Sequence, residues 1–325
     1  MTKCKFQTDL FPRVKSKKIG ISFDGGDVTS DAGIFLLRQA DKTLKLSHKV
    51  SKIIPDPRNP FFITHSQDSM IQQLLYGLAL GYEDLNDHES LREDLAFQSA
   101  VEREEVLAGK STLCRLQQRA NKHTNKALSE LLVDLYIKSQ PRRPKEIILD
   151  FDATDTPLHG DQQDKFFHGY YDNYCYLPLF VFAGDFPLYA LLRKSDKDAS
   201  QGSDEILSFL TERLRKKWPG VRIIFRGDSG FCRWKLHQWC EKNKVEYITG
   251  LARNSVLMEM CRPLCAQVEK GYAKEKVKQK KYRVLAYGAK TWDKKRRVLV
   301  KAEYNSIGPN TRFVVTNIKG TAKEL

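Results

Sequence analysis

The chain has no run of apolar residues approaching the ~20 needed to span a bilayer, and its start, Met1-Thr2-Lys3-Cys4-Lys5, has no apolar signal core. A cytoplasmic protein without a membrane partner is expected. Its seven cysteines, at positions 4, 114, 175, 232, 240, 261 and 265, form no CxxC pair and no Cys/His spacing of the kind that clasps zinc. Neither a disulfide framework nor a zinc finger follows, and the setting is expected to be reducing. Acidic residues are outnumbered, 40 against 55 Lys and Arg, for a net charge of +15. Such an excess favours a polyanionic partner through counterion release from phosphates, although charge alone fits a merely soluble basic protein equally well.

What is present is length. With 325 residues, 41% of them hydrophobic, the chain can bury a core and fill two or three domains of about 100–200 residues. Residues 1–60 read as short strands and turns, with Gly20-Ile21-Ser22-Phe23-Asp24-Gly25-Gly26 leading into an apolar stretch, Ala32 to Leu37. From Ser66 the pattern is helical, because Met70, Leu74, Leu75, Leu78 and Ala79 recur three or four apart. The same spacing returns from Lys126 to Lys138 and is broken by Gln140-Pro141-Arg142-Arg143-Pro144. A boundary there gives a largely helical amino-terminal region, 1–140.

Beyond the prolines the period changes. Glu146 to Asp152 is an apolar strand ending in acids, and Leu177 to Ala183 and Leu188 to Leu192 are two more strands. Ser203 offers an N-cap to a helix closed by Pro219-Gly220. A strand Val221 to Phe225, the tight Arg226-Gly227-Asp228-Ser229-Gly230, a helix around Trp234 to Lys242 and a strand Val245 to Thr249 complete the segment 141–252. Three strands, helix, strand, helix, strand is the order of a ribonuclease-H-like α/β core with a mixed sheet. From Arg253 to Lys301 there are 15 Lys and Arg against 4 acids, with Tyr272, Tyr282, Tyr287 and Trp292 interleaved. Residues 253–315 are therefore expected as a basic β-rich insertion. Its candidate DNA contacts are Lys278, Lys280, Lys281, Arg283, Lys294, Lys295, Arg296 and Arg297, though a solvated basic face has the same composition.

Asp150 and Asp152 lie two apart on a strand and so share a face, while Asp228 ends a neighbouring strand between glycines. Carboxylates converging at strand ends suit a hard divalent ion, and two such ions about 4 Å apart are the usual means of cutting a phosphodiester without a protein nucleophile. Taken alone, an acid at a strand end is more often a turn former. Further residues join these acids: Leu149-Asp150-Phe151-Asp152-Ala153-Thr154, His159-Gly160, Tyr176-Leu177-Pro178-Leu179 and Arg226-Gly227-Asp228-Ser229-Gly230-Phe231. In that order they resemble the core of the insertion-sequence 1380 family of DDE transposases. Gly81-Tyr82-Glu83-Asp84-Leu85-Asn86-Asp87-His88 and Lys110-Ser111-Thr112-Leu113-Cys114-Arg115-Leu116 resemble that family's amino-terminal motifs, so the likeness covers roughly residues 20–320.

The resemblance implies a bacterial mobile-element enzyme, nucleoid-associated, using Mg²⁺ or Mn²⁺ on double-stranded DNA. Its substrates would be the element's inverted repeats and a target, and it would work as a homodimer in the DNA complex. It makes Asp152 the first catalytic acid, with Asp150 as the fallback, and Asp228 the second. The family's third acid is a Glu in a Tyr- and Arg-bearing helical motif ending in Glu-Asn. No such motif occurs here, so the chain is expected to stop short of it, residues 316–325 only beginning that helix and Glu324 taking no such role. The competing expectations are a catalytically dead, DNA-binding transposase fragment and a ribonuclease-H-like host nuclease.

Overall fold

The computed structural model describes residues 30–324. The chain divides into two compact units, 1–131 and 132–325. In the first, α1 (Ile34–Leu44), α2 (Leu46–Ile53), α3 (Gln67–Ala79), α4 (His88–Leu91), α5 (Leu95–Ala100) and α6 (Lys110–Gln117) precede α7 (Lys122–Ser139), within which the division falls. Ser66 caps α3 by accepting from the Ser69 amide, and Asp94 caps α5 through the Phe97 amide, each satisfying a donor that the helix leaves open. The apolar stripes of these helices make two small cores. One holds Ile34, Tyr76, Phe97 and Leu107; the other holds Met70, Leu74, Leu113 and Leu116.

Residues 34–53 are helical, where the sequence reads as strands and turns. The reason is visible on the buried faces, which carry Arg38 in α1 and Ser47 and Ser51 in α2. Arg38 is 1% exposed and donates to Glu102, 64 residues along the chain, so a charged side chain occupies a core position and hides the helical period. The part of the strand-and-turn expectation that falls on residues 1–29 lies outside the described residues.

The second unit is built on a mixed sheet. Its strands are β1 (Glu146–Ala153), β5 (Leu179–Ala183), β6 (Phe186–Leu191), β7 (Arg222–Gly227), β8 (Glu246–Leu251), β9 (Gln279–Tyr287), β10 (Arg296–Asn305) and β11 (Gly308–Thr316), in the spatial order β6-β5-β1-β7-β8-β11-β10-β9. β1 runs antiparallel to β5 and parallel to β7, and β7 is parallel to β8. The first five strands thus form the ribonuclease-H-like sheet that the element order calls for. A separate small sheet pairs β2 (Thr156–Pro157), β4 (Asn173–Tyr176) and β3 (Phe166–His168). Helices α8 (Ser203–Lys217), α9 (Trp234–Lys242) and α10 (Ser255–Glu275) complete the unit. Ser203, expected as the N-cap of α8, is its first residue; the N-cap is Gly202 in the left-handed region at φ 79°, with no side-chain capping hydrogen bond.

The basic segment carries three strands, β9, β10 and β11, and also a long helix that the sequence reading does not place. Its first 21 structured residues are α10, whose buried Leu257, Cys261, Leu264 and Val268 follow a helical period through Pro263. Its strands join the main sheet through β11, which pairs antiparallel with β8, so the segment widens the core sheet. After Thr316 the chain runs through turns to Glu324 rather than into a helix. No helix among the described residues is long and apolar enough to cross a membrane.

Paired residues of neighbouring strands share a face, and every second residue returns to it. One face carries Leu149, Phe151, Val181, Phe225, Tyr247, Val300, Phe313 and Val315, all in the main core. Within that core His237 is fully buried, stacked on Tyr247 at 4.3 Å, with Nε2 2.8 Å from the Thr249 hydroxyl. Burial first, then the Arg296 charge, pushes its pKa down to about 4 from 6.5. The neutral ring is favoured in the fold, so its contribution is complete above pH 6.5 and is lost as pH falls from there toward 4. The gap corresponds to about 3 kcal/mol. Urea melts between pH 7 and 4 should show this loss, and His237→Phe should flatten the profile; an unchanged slope in the variant would exclude His237 as its cause.

Candidate active site

On β1 burial alternates, with Ile147, Leu149 and Phe151 inward and Asp150 and Asp152 on the opposite face. Phe151 packs edge-on against Phe225 (4.9 Å between centroids) and Phe231 (6.1 Å), which fixes the strand beneath the acids. β1 and β7 pair in parallel with Asp150 opposite Arg226 and Phe151 opposite Gly227. The next residue on each chain is Asp152 and Asp228. The register therefore brings these two residues to the carboxyl ends of adjacent strands, whose spacing is about 4.8 Å, each one residue past the last pair of the ladder.

The Asp228 turn is held on three sides. Asp228 caps a 3-10 turn, Ser229–Phe231, by accepting from the Gly230 amide at 2.8 Å through Oδ1. A Cβ on Gly227 would lie 2.9 Å from Cβ of Phe231. A Cβ on Gly250 of β8 would lie 2.9 Å from the Ser229 backbone nitrogen and 3.2 Å from the Asp228 carbonyl carbon. Both glycines are required by close approach rather than by positive φ. Gly250 was not singled out in the sequence; a glycine inside an apolar strand was the signal that could have found it.

The neighbouring carboxylates have cations. Arg226 donates to both oxygens of Asp150, with Nη2 2.6 Å from Oδ2, and this bond holds the guanidinium pKa above its usual value. Arg233 donates to Asp198 at 2.5 Å. Arg226 is thus committed to Asp150, not to Asp228, and Asp150 is less available as a metal ligand than the sequence allows. Among the described residues Asp152 has no hydrogen-bond or ion-pair partner, and Asp228 has only the Gly230 amide. Tyr171 donates to the Ala153 carbonyl at 3.2 Å, beside Asp152. Burial, followed by the fields of Asp155, Tyr170, Asp152 and Asp228, raises its phenol pKa, which places both aspartates within electrostatic reach of one hydroxyl.

Two adjacent carboxylates with free oxygens and no cation repel each other unless positive charge comes from elsewhere, and hard oxygen donors suit Mg²⁺ or Mn²⁺. Asp152 and Asp228 fit such an ion in chemistry. They fall short in number, since no group of three or more His, Cys, Asp or Glu positioned to hold a metal occurs among the described residues.

The eight candidate DNA contacts do not form one patch. Lys280, Arg283 and Lys295 are exposed and have no partner among the described residues. Lys278, Lys281 and Lys294 are tied at the surface to Glu303 (2.9 Å), Gln267 (3.0 Å) and Glu241 (2.8 Å). Arg297 donates to the Ile318 and Gly320 carbonyls. Arg296 is a correction: its side chain is 2% exposed and bound to Glu241 and Asp293, so it is a core ion and not a phosphate contact. β9 is also the outer strand of the sheet, where charge serves to block edge-to-edge pairing.

A family model described as "Transposase DDE domain group 1" matches residues 11–325. No curated protein matches the chain. Among solved structures, it is similar to the piggyBac transposase in a cryo-EM synaptic complex with hairpin DNA. The identity is 11% and the TM-score 0.39, over 90% of this chain and 62% of that one, so the chain spans less than two thirds of that relative's length.

Proposed function

Because the chain belongs to the transposase DDE domain group 1 family, we propose that it cuts and joins DNA at Asp152 and Asp228, as a transposase of the insertion-sequence 1380 type. The observation that carries this reading is the pair of cation-free aspartates at the ends of adjacent parallel strands, beside a third carboxylate that an arginine has already neutralised. Asp152 and Asp228 would hold Mg²⁺ or Mn²⁺. Bound ions of this kind activate the attacking oxygen and stabilise the leaving one. Asp228 is kept in register by Gly227 and Gly250, Asp152 by the Phe151 cluster, and Asp150–Arg226 fixes the two strands just below. Water attacks a phosphodiester at the element's end, the bond to the 3′-oxygen breaks, and the freed 3′-hydroxyl then attacks a phosphodiester of the target, releasing its 3′-oxygen. Inverted repeats present two related ends, which calls for two copies of the chain.

The test is nicking of a supercoiled plasmid that carries the DNA flanking this gene, with Mg²⁺, Mn²⁺ or EDTA. Cutting that needs the metal and disappears in Asp152→Asn supports the reading; cutting that persists in Asp152→Asn removes it. A second reading, a protein that binds DNA without cutting it, is favoured by the two-carboxylate donor set. Two carboxylates fix an ion less firmly than three, and misplacement by ~1 Å costs about a hundredfold in rate. DNA and Mn²⁺ binding without nicking would select it.

Of the eight candidate contacts, Lys280, Arg283 and Lys295 are the ones without a partner among the described residues. Replacing each with Gln is expected to reduce the slope of log affinity against log salt by about 0.9, the value for one phosphate contact on duplex DNA. Anisotropy titrations at several salt concentrations read this directly, and an unchanged slope in all three variants would exclude them.

A further inference from the structure

The strand register carries the active-site face farther than the two aspartates. Asp150 pairs with Arg226, Arg226 with Ile248, and Gly250, two residues on, with Val314 of β11. Val314 pairs with Leu299 of β10, and Leu299 with Val284 of β9. Asp152, Gly250, Val314, Leu299 and Val284 therefore lie on the face opposite the main core. One step toward the end of the sheet where Asp152 and Asp228 stand, the next row on this face is Arg312 opposite Lys301 opposite Tyr282. Arg312 is exposed and has no partner among the described residues. Arg253, in the loop after β8 at this same end, is exposed and donates only to Asn310 at 2.9 Å. Lys280 is the next residue on the face after Tyr282 and is also free. The acid in this neighbourhood, Glu303, is buried and already taken by Lys278 and Lys301 at 2.9 Å each, so Arg253, Lys280 and Arg312 remain in excess.

We propose that Arg253, Arg312 and Lys280 form a backbone-phosphate track for the DNA duplex, running from the catalytic aspartates across the strand ends toward β9. The occupant is double-stranded DNA, and this choice rests on the transposase reading above. The charge is of the right sign, the surface is open, and the track is continuous with the place where a scissile phosphodiester would lie. Strand spacing of about 4.8 Å and a rise of about 3.3 Å per residue put Arg312 roughly 15 Å and Lys280 roughly 25 Å from Asp152. With about 3.4 Å per base along a strand, the contacts fall roughly four to eight nucleotides from the cut.

Two measurements on the full chain test the track. In the first, Arg253→Gln, Arg312→Gln and Lys280→Gln are titrated against a plain 20-base-pair duplex without metal. Each should reduce the salt slope by about 0.9, and the triple variant by the sum, with an unchanged thermal melt. Neither Asp152 nor Asp228 takes part in this assay, so a failure of the catalytic reading leaves its outcome intact. In the second, single methylphosphonates are walked along DNA cut by the parent chain. Neutral linkages four to eight nucleotides from the cleavage position should weaken binding by the parent and not by the triple variant. Slopes equal to the parent's, or an interference pattern that the triple variant shares with the parent, would overturn the track.

Discussion

Asp152→Asn and Asp228→Asn are each expected to lower Mn²⁺ affinity at least about a hundredfold, while Asp150→Asn, two residues from Asp152, changes it less than about tenfold. A carboxamide keeps the shape but removes one negative charge and the hard oxygen that a divalent ion prefers. Groups that merely orient a ligand already cost 10–100-fold when mutated, and loss of a ligand itself should cost no less. Asp150 differs because both its oxygens accept from Arg226. Its removal leaves a guanidinium in want of a partner, which is a stability effect first. Electron paramagnetic resonance of bound Mn²⁺ separates the three variants without depending on cleavage. A loss of binding in Asp150→Asn with retention in Asp152→Asn would reverse the assignment of the first acid.

The segments that carry these acids could be read before folding, and the reasons are local. β1 alternates apolar and acidic residues with a period of two, and Phe231 follows Asp228 closely enough that the tight turn and the aromatic beneath it belong to one short segment. What stayed hidden depends on partners far along the chain. Arg226 and Asp150 are 76 residues apart, and only the register of β1 against β7 tells which acid the arginine takes. The pressure of Gly250 on the Asp228 turn arises from β8 and β7 lying side by side.

The helix of the basic segment was hidden for a different reason. Its surrounding charge masks Leu257, Cys261, Leu264 and Val268, which mark a helix at four- and three-residue intervals despite Pro263. In α1 the opposite held: Arg38 occupies a core position that a hydrophobic pattern assigns to an apolar residue, and its partner Glu102 is remote. Alternation from Tyr282 to Tyr287 in β9 was present in the sequence, but which residues of β9, β10 and β11 share a face with Asp152 follows only from the pairing of β11 with β8.

Arg296 turns this difference between composition and position into a measurable quantity. A phosphate-binding arginine on a surface strand should tolerate Ala with little change in stability, whereas a buried ion should not. Here the guanidinium donates through Nε to Glu241 at 2.9 Å and through Nη1 to Asp293 at 2.7 Å, and it lies 5.8 Å from the centroid of the Trp292 ring. Glu241 also accepts from the Tyr247 hydroxyl at 3.0 Å, and Tyr247 stacks on buried His237, so the ion is tied into the core beneath β8. Breaking a buried pair costs about 3–5 kcal/mol. Glu241 and Asp293 keep 22% and 26% of their side-chain surface exposed and can turn to water, which sets the expectation for Arg296→Ala near the lower end, about 3 kcal/mol. For a unit of this size that is a fall of roughly 6–12 °C in Tm. Arg296→Lys should recover part of the loss, since the charge remains while the planar fork that reaches two acids does not. Thermal and urea melts of the two variants, run beside DNA titrations corrected for the folded fraction, decide the matter. A stable Arg296→Ala protein with a salt slope smaller by about 0.9 would return Arg296 to the DNA surface.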